Sequence, residues 1–121
     1  MIHKQTIITI IDNSGAITAK TIHIFKKPYA KINDLILVSI VRTKPQSQES
    51  SKVKKGQIHL AKVILTKSSL IRKDGTVLNF AINAAILLKQ DFTPLANRII
   101  TGIPFELRNN SIISSLSPKL L

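Results

Sequence analysis

The chain has 121 residues, 44% of them hydrophobic, and sets eighteen Lys and Arg against six Asp and Glu, a formal net charge of +12. That is one domain's worth of sequence with enough apolar material to bury a core, which excludes a disordered chain. Cysteine is absent, so disulfides, thiolate metal sites and cysteine nucleophiles are excluded together, and no apolar run approaches the roughly 18 residues needed to cross a bilayer.

Met1-Ile2-His3-Lys4-Gln5-Thr6 has the pattern of neither a secretory signal nor an Arg-rich presequence, so the expectation is a chain made where it works or already processed. Thr6 to Ile11 is β-branched throughout and stops at Asp12-Asn13-Ser14-Gly15, a strand followed by a tight turn. Ile17, Ala19, Thr21, His23 and Phe25 alternate with Thr18, Lys20, Ile22, Ile24 and Lys26 in a second strand that ends at Pro28, which cannot donate to a ladder. Leu35 to Val41 reads as a third, largely buried strand.

Residues 43 to 56 are polar and basic, a long loop of the kind that is functional or mobile in small domains. Ile58 to Thr66 alternates as a fourth strand. Arg72-Lys73-Asp74-Gly75 supplies an Asp-Gly turn before Thr76 to Phe80, which predicts a hairpin with a cationic tip. Ala81 to Leu88 fits a helix by its alanines and leucines and a strand by its length and neighbours; we read it as a strand. Beyond Pro94, short apolar-polar units at Phe105 to Arg108 and Ile112 to Leu116 suit one or two helical turns each, a lid on a barrel starting near residue 105. Short strands without strand-helix alternation predict an all-β fold, a small closed barrel in one domain over residues 1 to 121.

Charge is concentrated as well as large. Between positions 42 and 73, Arg42, Lys44, Lys52, Lys54, Lys55, Lys62, Lys67, Arg72 and Lys73 face a single acid, Glu49. A solvated surface normally mixes both signs, whereas a one-signed ridge is the footprint of a polyanion site. Aromatic residues are few and scattered, which disfavours base-stacking readers and leaves recognition of phosphate and shape, the mode suited to structured RNA. On this reading Lys44, Lys52, Lys54, Lys55, Lys67, Arg72 and Lys73 face RNA.

Catalytic and metal readings find no support. His3, His23 and His59 have no carboxylate or second histidine at ligand spacing, so no metal and no cofactor is expected. Asp12-Asn13-Ser14-Gly15 lacks the Asp-Ser or Asp-Thr pair of an aspartic-protease loop, and Ser14 lacks the glycines of a nucleophile elbow. A membrane-surface role would need an amphipathic cationic helix, whereas the cations fall on predicted loops and strands. The alternative class is a free-standing OB-like or Sm-like single-strand chaperone, which needs exposed aromatic platforms.

Six blocks, in order along the chain, carry a family resemblance. They are Gln5-Thr6, Asp12-Asn13-Ser14-Gly15-Ala16, Val53-Lys54-Lys55-Gly56, Arg72 before Asp74-Gly75, Asn83-Ala84 leading into Ile86-Leu87-Leu88, and Arg98-Ile99 followed by Glu106-Leu107-Arg108 and Ser115-Leu116-Ser117-Pro118. Together they resemble, from end to end, the universal large-subunit ribosomal protein fourteen family. That resemblance implies a five-stranded β-barrel with a projecting hairpin and short C-terminal helices, bound to large-subunit rRNA. It also implies neighbouring large-subunit proteins, an intersubunit bridge to small-subunit rRNA and a docking point for a ribosome silencing factor.

By the same resemblance Asn13, Lys54, Lys55 and Arg72 lie near RNA, while Arg98 and Arg108 belong to the subunit-facing C-terminal segment. The chain departs from the family in three places. Asn33 precedes Asp34 where glycine is usual, Ile17-Thr18 replaces a basic pair, for which Lys20 is the substitute, and Thr101-Gly102-Ile103-Pro104 alters a Phe-Gly-Pro stretch. With abundant isoleucine, lysine, asparagine and serine, residues of AT-rich codons, these departures suggest a mitochondrial version encoded in the organelle, ahead of a plastid or bacterial one.

Overall fold

The computed structural model describes residues 2–25, 28–43, 53–67, 70–71, 75, 77–78, 82–95 and 99. Five strands close a barrel in the order β1 (Ile7–Ile10), β2 (Ala16–Ile24), β3 (Leu35–Thr43), β4 (Ile58–Leu65) and β7 (Ala84–Leu88). The remaining pair, β5 (Leu70–Ile71) and β6 (Val77–Leu78), forms a separate antiparallel hairpin with Leu70 opposite Leu78 and Ile71 opposite Val77. The expected barrel and hairpin are therefore present. The expected C-terminal helical turns lie outside the described residues.

Antiparallel pairing joins every neighbour in the barrel except β1 and β7, which run parallel with Thr9 opposite Ala84 and Ile10 opposite Ala85. Asp12 extends that seam beyond the end of β1. Its Oδ2 accepts the Leu87 N–H at 3.0 Å, and its Oδ1 accepts the Ser14 N–H at 3.1 Å and the Ser14 hydroxyl at 2.6 Å. The Asx turn expected at Asp12 to Gly15 thus also acts as a clasp, with Gly15 at φ 105° where an L side chain would be strained.

Inward side chains of the five strands fill the barrel: Ile8 and Ile10, Ala19 and Ile24, Ile36, Val38 and Ile40, Ala61 and Val63, Ala85 and Leu87. Burying each large aliphatic side chain contributes roughly 1.5–3 kcal/mol. A second cluster lies on the outer face of β4 and β7, where Ile64, Ala84, Ile86 and Leu88 pack with Ile11 and Ile99. Strand β7 is buried on both faces, which is why its sequence runs apolar without alternation and why periodicity could not separate strand from helix.

Alternation also breaks in β2 and β4. Register shifts between Ala16 and Thr18, Thr18 and Ala19, and Thr21 and His23 change the phase of β2, so Ala19, Thr21 and Ile24 are buried while His23 and Phe25 are exposed. In β4 a shift between Val63 and Leu65 lets both Ile64 and Leu65 be buried. A strict two-residue period misses these bulges.

Candidate nucleic-acid interface

Lys54 and Lys55 are displayed by a turn whose construction is visible residue by residue. The Gln57 N–H donates to the Lys54 carbonyl at 3.2 Å, and Gly56 takes φ 88°, the positive value that the third position of a type II turn requires. The turn is bolted to β3, because the Gly56 N–H donates to the Ile40 carbonyl and the Ile40 N–H to the Gln57 carbonyl, both at 2.9 Å. Gln57 Oε1 accepts the Lys54 N–H at 3.0 Å and lies 3.1 Å from His59 Nε2. Val53, 2% exposed, plugs the barrel core immediately before the two exposed lysines. Two cations thus stand on a rigid base.

Asn13, in the β1–β2 turn, is exposed at this same end of the barrel, as is Arg42 near the end of β3, where Ala16 pairs with Thr43. Lys20 is exposed on the outer face of β2, opposite Ile7 on one side and Ser39 on the other. Lys67 is placed elsewhere. It follows β4, and its N–H donates to Asn83 Oδ1 at 2.9 Å, which ties the root of the hairpin to the start of β7. Strand β4, 8 residues and roughly 23 Å long, runs between the Lys54–Lys55 turn and Lys67.

Among the described residues between positions 42 and 73, Arg42, Lys54 and Lys55 therefore lie toward one end of β4 and Lys67 at the other. Asn13, Arg42, Lys54 and Lys55 are brought together, Lys67 is at the opposite end, and Lys20 lies between. Lys44, Lys52, Arg72, Lys73, Arg98 and Arg108 are outside the described residues. Lys62 is distinct again: half-buried on β4 between Leu35 of β3 and Ile86 of β7, its ammonium is pushed below the ordinary lysine pKa by desolvation. His59 is lowered below its usual value for the same reason.

Two surface features were missed by the sequence reading. Lys31 Nζ sits 5.5 Å from the Tyr29 ring centroid, and His3 packs against the same Tyr29 ring with centroids 6.0 Å apart. Phe25 and Phe92 are 51% and 60% exposed and line one groove. Neither residue carries a local motif; bulges and a returning turn bring them together. No group of three or more metal-ligating side chains occurs among the described residues.

A rigid basic barrel with cations at both ends of a strand has the form of a structural protein of a ribonucleoprotein. The family model for ribosomal protein L14p/L23e matches residues 1–121, and the chain belongs to that family. It is accordingly of the large-subunit ribosomal class, a structural and non-enzymatic kind, rather than a free-standing OB-like or Sm-like chaperone.

Proposed function

We propose that this chain is a structural constituent of a mitochondrial large ribosomal subunit that ties two segments of rRNA together through its two cationic ends. The observation that carries this reading is that the 8-residue strand β4 sets the exposed Lys54–Lys55 turn at one end and the exposed Lys67 at the other, so one body presents cations to two RNA segments. Lys and Arg position RNA by its phosphates, and a stiff barrel between them fixes the separation. Lys20 supplies charge where Ile17-Thr18 has none, and Lys44, Lys52, Arg72 and Lys73 add cations to the same basic stretch of the sequence.

The mitochondrial assignment is supported by a composition rich in AT-codon residues, with only 4 glycines in 121 positions. The C-terminal cations Arg98 and Arg108 are assigned to the subunit-facing surface, the bridge to small-subunit rRNA and a silencing factor, on the family resemblance. Sedimentation of purified mitochondrial ribosomes tests the core of this reading: the polypeptide should co-migrate with large subunits at moderate salt. A slow soluble pool would reject it. Arg98→Ala should leave large-subunit incorporation intact and lower the ratio of joined to free subunits; an unchanged ratio removes the assignment of Arg98.

A further inference from the structure

Phe25, Leu35, Leu60, Lys62 and Phe92, with the edge of the core residue Ile24, line a surface groove of about 440 Å³ that has Asn33 and Asp34 also in its wall. Its aromatic members are not there to fill the core. Phe25 is 51% exposed, supported from one side by the edge-on ring of His23 at 5.0 Å and 86°, and Phe92 is 60% exposed.

Phe92 sits in a turn closed by the Lys89 N–H to the Thr93 carbonyl at 2.8 Å and the Phe92 N–H to the Lys89 carbonyl at 2.9 Å. Asp91 Oδ1 accepts the Thr93 hydroxyl at 2.6 Å. Within that turn Phe92 has φ 68°, a left-handed backbone that a bulky residue adopts only under strain. Glycine or asparagine would build the same turn without strain. A strained, exposed phenylalanine serves neither the turn nor the core, so its ring serves something that enters the groove.

Lys62 defines what enters. It lies on the outward face of β4, directly opposite Leu35 and Ile86, with Leu60 and Ile64 on either side along the strand. Its ammonium is partly desolvated, and no carboxylate of the described residues pairs with it. The one acid among the described residues of the wall, Asp34, is engaged through Oδ2 by the Lys31 N–H at 2.8 Å. A half-buried cation against aliphatic walls is complemented by an anion that arrives with its own apolar body.

Resting on the placement of this chain in the large subunit, we infer that the groove docks a segment of a neighbouring polypeptide, which inserts an apolar side chain between Phe25 and Phe92 and sets an adjacent carboxylate on Lys62. RNA fits less well. Its charge recurs at every nucleotide, whereas the described residues of this groove present one cation, aliphatic walls and the Asp34 carboxylate.

The test is photocrosslinking in purified large subunits carrying the full chain with p-benzoylphenylalanine in place of Phe92, followed by sequencing of the adducts. The expected product is a peptide of another subunit protein with an apolar residue beside Asp or Glu. Lys62→Glu should then lower its yield by on the order of tenfold or more, and reversing that partner acid to lysine should restore it. Phe92→Gly should leave the melting temperature of the isolated chain unchanged or raised while lowering partner occupancy in subunits. Adducts with rRNA, with residues 100 to 121 of this chain or with a second copy of it, an absence of adducts, or a yield indifferent to Lys62→Glu would each overturn the inference. Loss of the chain itself from large subunits, read by sedimentation, would instead sink the proposed function along with it.

Discussion

Removing the Asp12 carboxylate takes away the acceptor for three donors, Ser14 N–H, Ser14 Oγ–H and Leu87 N–H, at a residue only 2% exposed. Asp12→Ala should therefore lower stability by roughly 2–4 kcal/mol in urea denaturation, with a smaller loss for Asp12→Asn. A loss below measurement error would mean that the β1–β7 seam does not depend on the clasp. Thr21 is the converse case: it is fully buried and its hydroxyl oxygen has no hydrogen-bond partner. Thr21→Val should be neutral or stabilising by up to about 1 kcal/mol, since it removes a polar group that gains nothing from burial. Asn33 has φ 75°, which explains how it stands in a place where the family pattern has glycine: asparagine is the side chain that best tolerates the left-handed region. Asn33→Val should cost about 1–2 kcal/mol, and Asn33→Gly should be close to neutral.

For the elements, display and charge in the Lys54–Gln57 turn can be separated. Lys54→Gln with Lys55→Gln removes two cations while leaving the backbone bonds of the turn to β3 intact. The double variant should melt like the parent, bind rRNA fragments more weakly and show a shallower salt dependence by roughly one to two ion equivalents. An unchanged salt slope would move the contact away from this turn. Gly56→Ala tests the scaffold, because a Cβ there meets no atom within 4 Å and the penalty is conformational alone, about 1 kcal/mol. The first four barrel strands were legible from β-branching and turn residues, whereas β7, an apolar run covered on both faces, was read as a strand from its length and neighbours alone. Which side chains face inward was not fully legible, because the bulges of β2 and β4 reset the phase without a sequence marker.

At the level of the whole molecule, a +12 chain bound through phosphates releases counterions, so its affinity for large-subunit rRNA should fall steeply with salt. If about 6 to 10 phosphates are neutralised, raising salt from roughly 50 to 200 mM should cost on the order of a thousandfold or more. A flat binding curve would contradict the two-ended phosphate clamp. Stability should also respond to mild acid through His59. Its folded-state pKa is held below the ordinary 6.5 by burial, so the unfolded chain takes up the proton first as pH falls. The contribution of His59 is therefore complete above about pH 6.5 and is lost as pH drops through that value, and His59→Gln should flatten this part of the stability profile. An unaltered profile in the variant would assign the slope to other groups.

Composition and order of motifs, by themselves, determined the all-β class, the Asp12 to Gly15 turn, the hairpin and the family, because β-branched runs, Asx-Gly turns and surplus charge are local properties written residue by residue. Tertiary structure alone decided how the charge is distributed: β4 is a rigid spacer, so lysines close in sequence at 55 and 67 end up on opposite ends of the barrel. It also decided that Phe25, Lys62 and Phe92, far apart in the chain, share one groove, since strand pairing and bulges set which distant side chains meet.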